Sequence, residues 1–515
     1  MLKSWDIFDT LIARKCVFPR SVFAIVEQVG KVKNFATARI AAEQNLVKQG
    51  LNYNLDDIYK ELQRIAKAPK ELCDGLKNLE IKVELDQCIP ITENLRQVKA
   101  GDILISDMYL PEKVIRKMLD KAGLFAPVEI LVTSGGKASG KVWKEFAEQG
   151  QFLFHIGDNV EVDVKKPRQY GFDSALTTLS RPNYFEQWLM QRDFAFGSYL
   201  REIRLRNPFT EEIKRTYWTL FTLNVGILII FVQLIDQLQK KHGFEYLGFC
   251  GRDTYYLWLL YKKFKDDLGE EPPANDYLHY SRKLINYSKS NIAKYFDNKI
   301  DGRKALMIDL VGTGISLDIL RRDLNLDYST LICGHNNWTK NFGILDWICL
   351  LEKKEMPLER SKNFCFTNFN VEEQLLWREP TENLNRATHN SPIRLSAIKI
   401  NEKILSDVIL SPIDDTENFD VIETCLKEFL KSKIVWGGIK NQNVLENLRQ
   451  MLIILNNWGA PAILKSQHMI NENIDRRDFI ESFEQRYKVE SNSSISVNSF
   501  EKNKTDSREY VKGAE

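Results

Sequence analysis

The classes this chain avoids are the first thing its sequence settles. No two of its eight cysteines, at positions 16, 73, 88, 250, 333, 349, 365 and 425, sit at Cys-x-x-Cys spacing. That excludes a zinc ribbon and a dithiol redox motif. Eight cysteines in 515 residues are too dilute for a disulfide scaffold, so reduced thiols in a cytoplasmic protein are expected. Net charge is nearly absent: 72 Lys and Arg against 70 Asp and Glu leave +2. Nothing in that balance encodes a counterion-releasing nucleic-acid binder. The start, MLKSWDIFDTL, lacks the basic-then-apolar pattern of a secretory signal. No internal repeat is visible.

One apolar run invites a membrane reading. From Tyr217 to Ile235 no residue is charged, and VGILIIFV is wholly apolar. A stretch of that length falls in the range that spans a bilayer. Thr219, Thr222, Asn224, Gly226 and Gln233 interrupt it, however, and it runs into Asp236. A helix buried between domains is the preferred expectation.

What remains is ordinary globular material, 43% apolar and 28% charged. At roughly 100–200 residues per domain, the length predicts two or three domains. Residues 1–190 alternate strands and helices after an early helical insertion, a cap over about 16–98. LKSWDIF, DILISD, VEILVTS, FLFHIGD and ALTTL read as strands, with PEKVIRKMLDKAG and GKVWKEFAEQG as helices between them. Within the cap, Asn54 is the expected N-cap of a helix with Leu55, Ile58, Tyr59 and Leu62 on one face. Residues 195–410 open with a helical stretch to about 240 and then form a second α/β region. There EYLGFC, DYLHYS, KALMIDLV and TLICGH are strands. Residues 411–487 read as helical. Residues 488–515 have too few apolar side chains to offset ordering entropy and are expected to be disordered. Strands alternating with helices predict parallel sheets covered on both faces.

Ligands of such sheets bind at the C-terminal strand ends. Five polar residues fall there in order: Asp6 in DIFDTL, Ser106 in ILISD, Lys137 in the loop TSGGKASG, Asp158 in HIGD, and Asp163 five residues on. A carboxylate can attack phosphorus, and a hydroxyl and an ammonium can hold phosphoryl oxygens. Further carboxylates suit Mg²⁺, which prefers hard oxygen ligands. This order and spacing resembles the haloacid-dehalogenase-like (HAD) hydrolase superfamily over about residues 1–180. The resemblance implies a Rossmannoid domain with a helical cap and Asp6 as nucleophile. It implies metal binding by Asp6, the Phe8 carbonyl, Asp158 and Asp163. Most phosphatases of that superfamily carry a second Asp two residues after the nucleophile, as general acid and base. Here that place is Phe8, and Asp9 is the candidate substitute. The DIFDTL and SDMYLP signatures are similar to those of a narrower group of bacterial proteins from surface-polysaccharide loci. Arg39 and Glu43, one helical turn apart, are candidate substrate contacts, with a surface ion pair the preferred reading.

A second constellation lies in ALMIDLVGTGISL: strand, acid, glycine-threonine loop, helix. Backbone amides from Gly312 to Ser316 would make an anion site, with Thr313 and Ser316 adding hydroxyls around Gly314. No Lys follows the glycines, so it is no Walker A motif. Asp309 is placed for ribose hydroxyls. The segment resembles the phosphoribosyl-pyrophosphate loop of type I phosphoribosyltransferases, over about residues 240–345, with Ile308 where that family has a first acid. Arg252 and Asp253 in GFCGRD, and Arg282 and Lys283 in YSRK, are the implied pyrophosphate contacts.

Together these resemblances imply a bifunctional enzyme. One half would transfer ribose 5-phosphate from phosphoribosyl pyrophosphate to a lipid-linked or oligosaccharide acceptor, and the other would remove the 5-phosphate. The product would be a ribofuranosylated glycan, made in the cytoplasm, with the inner membrane face as a peripheral contact. Two alternatives stand beside it: a Mg²⁺ phosphatase with a glycan- or nucleotide-sugar-binding C-terminal half, and a non-catalytic scaffold with a degenerate HAD-like site.

Overall fold

The computed structural model describes residues 2–50, 52–151, 153–251, 254–278, 289–312, 314–323, 325–336, 348–349, 363–369 and 419–437. They form two compact α/β units, one through Thr210 and one from Glu211. The region expected to be helical over 411–487 is thus described only at 419–437, and the expected tail 488–515 lies outside the described residues.

The first unit is built on β1 (Leu2–Trp5). Around it run β4 (Ile103–Asp107), β5 (Glu129–Thr133), β6 (Leu153–Gly157) and β7 (Asp173–Leu176). The order is β5-β4-β1-β6-β7, all parallel. The chain goes outward from β1 to β4 and β5, then returns to the other side at β6. The crevice at the C-terminal ends of β1 and β6 is therefore the switch point where such sheets bind ligands. Short apolar runs specify these strands: Trp5, Leu104, Ile105 and Leu153 are buried. The helix Glu112–Ala122 turns Val114, Ile115, Met118 and Leu119 into the core and stops at Gly123 in the left-handed region.

The insertion after β1 is helical, as its periodicity predicts. Its helices are Ser21–Gly30, Phe35–Lys48, Leu55–Ala66 and Lys70–Gln87. Asn54 caps the third, its side chain accepting from the Asp56 and Asp57 amides, and Leu55, Ile58, Tyr59 and Leu62 are buried. A two-stranded antiparallel neck joins insertion and sheet, β2 (Ile12–Arg14) against β3 (Cys88–Pro90). The sequence pattern did not reveal this neck, because each strand is three residues long and the pair closes over the entire cap. The first unit also reaches further than the boundary near 190 implies. Helix Phe194–Leu205 belongs to it: Arg201 donates to the Ser180 and Arg14 carbonyls, and Arg204 pairs with Glu186 at 2.6 Å.

The second unit holds β8 (Tyr246–Cys250), β9 (Ala274–Leu278), β10 (Ala305–Gly312), β11 (Tyr328–Asn336), β12 (Ile348–Cys349) and β13 (Asn363–Phe369). Their order is β12-β13-β11-β10-β8-β9, again parallel. The switch point falls between β8 and β10. β12 and β13 add to the strands expected from sequence. The apolar run sits inside the helix Glu212–His242, where Ile227 through Val232 are buried. That helix packs on helices Tyr255–Leu268 and Phe419–Lys431. No helix among the described residues is long and apolar enough to cross a membrane.

Candidate functional site

Asp6 leaves the C-terminal end of β1, its amide still donating to the Ile156 carbonyl at 2.8 Å. The chain then coils tightly: the Leu11 and Ile12 amides both donate to the Ile7 carbonyl, and Asp9 takes a left-handed φ of 57°. The turn brings the Thr10 hydroxyl within 3.2 Å of Asp6 Oδ2, to which it donates. Asp158 follows β6 directly. Asp163 lies on a π-helical turn, Val160–Lys165, whose start is capped by the Asn159 side chain. A Cβ at Gly157 would overlap the Asp163 carboxylate, so only glycine lets that carboxylate lie against the strand end.

Lys137 arrives from the other side of the sheet. The sequence predicts a loop here; Lys137 sits in a single helical turn, Gly136–Ser139, entered through Gly135 at φ 82°. Asp107 at the end of β4 anchors that turn, accepting from the Lys137 and Ala138 amides at 3.0 Å each and from the Thr133 hydroxyl. The Lys137 ammonium reaches 2.5 Å from Asp6 Oδ1 and 2.7 Å from Asp163 Oδ1. Ligand oxygens of Asp6, Asp158 and Asp163 lie within 4.8 Å of one another. Those three residues, with Phe8, Asp9, Ser106 and Lys137, line one cavity of about 890 Å³. Every residue of the first predicted constellation is thus in one place.

The electrostatics follow from three carboxylates and one ammonium held close together. Burial disfavours the Lys137 cation, but Asp6 and Asp163 beside it outweigh that and hold its proton on. Burial raises Asp6 above the usual carboxylate range, against the opposing Lys137 charge. Asp163 is also buried, yet the His155 hydrogen bond and Lys137 hold it below that range. For Asp158, burial with the charges of Asp6, Asp9 and Asp163 outweighs the opposing Lys137 charge and pushes it up to about 8. The surplus negative charge favours a proton or a hard cation among these oxygens.

Sequence reasoning missed several supporting residues. His155 alternates with apolar neighbours along β6 and reads as a core position. It is fully buried, and burial holds it down near 4, so the ring is neutral. Its Nδ1 meets the Ser4 hydroxyl at 2.9 Å and its Nε2 meets Asp163 at 3.3 Å, which steadies that carboxylate from behind. Arg14 of β2 also lines the cavity, and Glu84 holds it by a bidentate pair along one guanidinium edge, at 2.8 and 3.0 Å. Arg201 approaches Asp9 at 3.9 Å; burial still raises the Asp9 carboxyl against Arg201 and Arg14. The Asp107 side chain adjoins Ser106 in the quoted motif, a signal that could have been read.

Arg39 and Glu43 do pair, at 2.9 Å, but not on the surface. Arg39 is fully buried, and its main partner is the buried Glu80, held at 3.0 and 2.9 Å. The surface reading failed because a helix–helix contact, invisible to helical periodicity, covers the guanidinium.

No family model matches the chain, and no curated protein matches it.

The second constellation is partly described. Asp309 lies inside β10 rather than at its end, because the strand continues to Gly312. Its register partner on β11 is Ile332, and the neighbouring pair Ile308↔Phe249 sets it beside the end of β8. Cys250 and Cys333 flank it: burial and then the Asp309 charge push both thiols well above their usual range. Gly314 turns with φ 72°, and Ser316 is the second residue of the helix Ile315–Asp323. Asp309, Gly312, Gly314 and Ser316 therefore occupy one side of the second switch point. Arg252, Asp253, Arg282, Lys283 and Thr313 lie outside the described residues.

Proposed function

We propose that the chain is a bifunctional enzyme of bacterial surface-polysaccharide biosynthesis. Its first unit would act as a HAD-like phosphatase and its second as a phosphoribosyltransferase-like domain. The reading rests most heavily on the Asp6 carboxylate, which stands at a sheet switch point 2.5 Å from the Lys137 ammonium, with two further carboxylates within 4.8 Å.

In the phosphatase step, an Asp6 oxygen attacks phosphorus and the bond to the ribose 5-oxygen breaks. An aspartyl-phosphate forms on the chain. The leaving oxygen takes a proton, and Asp9 is the group assigned to supply it, since burial keeps that carboxyl above the usual range. Water then attacks phosphorus, its proton returns to Asp9, and inorganic phosphate leaves. Ser106 and Lys137 hold phosphoryl oxygens. The donor set of Asp6, Asp158, Asp163 and the Phe8 carbonyl consists of hard oxygens, as Mg²⁺ requires. Bound there, Mg²⁺ supplies neutralising charge for the transferring phosphoryl group.

In the transfer step, Asp309 would accept hydrogen bonds from ribose hydroxyls, and the loop from Gly312 to Ser316 would hold the 5-phosphate. The acceptor hydroxyl attacks C1 of phosphoribosyl pyrophosphate, pyrophosphate leaves, and the hydroxyl proton goes to solvent or the leaving group. Ile308, in the place of an acid, favours the alternative that the second unit only binds a glycan or nucleotide-sugar.

Asp309→Ala decides between them. Transfer should fall by roughly a hundredfold or more, as for loss of a group that orients a reacting substrate, while hydrolysis of phosphomonoesters persists. Both rates, measured on the full chain, test this. A wild-type chain that neither binds nor consumes phosphoribosyl pyrophosphate moves the binding alternative ahead. Equal loss of both activities in Asp309→Ala points to a folding defect.

A further inference from the structure

Beyond the phosphoryl-transfer residues, the cavity over Asp6 has a wall supplied by helix Phe35–Lys48. Glu43 stands on that wall, its side chain one-quarter exposed. Its two oxygens are held separately: Oε2 accepts from Arg39 at 2.9 Å, and Oε1 accepts from the Tyr53 hydroxyl at 3.2 Å. Burial and then the Glu43 charge push Tyr53 up to about 12, so the phenol keeps the proton that it donates.

Arg39 does not need Glu43 for neutralisation. Glu80, fully buried, already takes its Nε and one terminal nitrogen at 3.0 and 2.9 Å. The aromatic faces of Phe23 and Tyr109, at 4.5 and 4.6 Å, sandwich the guanidinium. One cation thus serves two carboxylates, and the Glu43 charge is surplus. Arg39 and Tyr53 take one acceptor site on each oxygen, and an ionised carboxylate has about four, so Glu43 keeps capacity to accept from a ligand in the cavity. The Arg20 and Lys48 side chains that also line the cavity are exposed. The same wall offers apolar contact through Phe23, Ile40 and Val47. A carboxylate fixed beside an apolar shelf matches a ring that has hydroxyls at its edge and C–H groups on its face.

We propose that Glu43 is a specificity-determining residue that accepts hydrogen bonds from hydroxyls of the leaving group, so that the cavity selects phosphomonoesters of neutral polyols or sugars. This rests on the phosphatase reading above and adds the class of substrate. Arg39 and Tyr53 act through Glu43 as positioning residues.

The test compares ribose 5-phosphate with nitrophenyl phosphate, which has no hydroxyl on its leaving group. The full chain is assayed with Mg²⁺ as wild type, Glu43→Ala and Glu43→Gln. The ratio of kcat/KM values, sugar phosphate over aryl phosphate, should fall at least about tenfold in Glu43→Ala, the scale of one hydrogen bond to a charged group. It should fall less in Glu43→Gln, which keeps an acceptor oxygen. A ratio unchanged in Glu43→Ala, whether both substrates slow together or neither does, overturns the proposal. Calorimetric binding of ribose 5-phosphate and of inorganic phosphate keeps the outcomes separable. If the wild type hydrolyses neither ester, the phosphatase reading fails; weaker ribose 5-phosphate binding in Glu43→Ala, with inorganic phosphate bound as before, still supports the Glu43 assignment. No binding of ribose 5-phosphate by the wild type, or equal weakening of both ligands, contradicts it.

Discussion

Asp6→Asn should lower phosphomonoester hydrolysis by roughly 10⁴-fold or more, the scale seen when a nucleophile is removed. The substitution keeps the side chain's shape and removes the charge proposed to attack phosphorus. It also removes one of the carboxylates that hold the Lys137 ammonium, leaving Asp163 at 2.7 Å as its anionic partner. The loop from Asp309 to Ser316, proposed for transfer, belongs to the other unit and is untouched. Given phosphoribosyl pyrophosphate, Mg²⁺ and acceptor, the variant should therefore accumulate an acceptor carrying ribose with its 5-phosphate still attached. Mass spectrometry of the product separates this from the lighter ribosylated acceptor made by wild type. Near-normal hydrolysis in Asp6→Asn removes the nucleophile assignment. Dephosphorylated product made directly by the variant removes the two-step order.

The largest effect on stability should come from Glu80→Ala. Glu80 and Arg39 are both fully buried, and the Tyr59 hydroxyl donates to the same carboxylate at 2.7 Å. Removing Glu80 takes two of the three ion-pair hydrogen bonds from a buried guanidinium, leaving it the part-exposed Glu43, and takes the acceptor from a buried phenol. Breaking one side of such a pair costs about 3–5 kcal/mol, whereas replacing both partners by apolar side chains is often nearly neutral. Glu80→Ala should therefore speed hydrogen exchange of helices Phe35–Lys48 and Lys70–Gln87 in the full chain far more than Arg39→Met with Glu80→Leu does. Equal protection in the single and double variants would show that the pair is not what ties these helices together.

Glu80 also illustrates what was hidden in the sequence. In KNLEIKVELDQ, Glu80 and Glu84 look like the solvated face of a helix. Both are fully buried, because each clamps an arginine from a distant element, Arg39 for one and Arg14 for the other. Periodicity reports only which side chains share a face, not which charge will arrive there from another part of the chain. The sheets were more legible. Runs such as DILIS and ALMI bury on both faces and are marked by their own composition. The order of the first constellation was legible for the same reason, since each of its residues closes or follows such a run. β13 escapes the sequence pattern because NFCFTNF neither alternates cleanly nor has the aliphatic density of the other strands. His155 was unreadable as a partner of Asp163, since the bond depends on the π-helical turn that carries Asp163 back under the strand.

The central claim is that Asp6 is the group that becomes phosphorylated. Wild-type chain mixed with Mg²⁺ and a phosphomonoester, quenched in acid within a turnover and digested, reports this directly by mass spectrometry. One phosphate on the peptide containing Asp6, absent from the Asp6→Asn variant, is the predicted result. Phosphate release with no adduct on any peptide, or an adduct on a different residue, would contradict it.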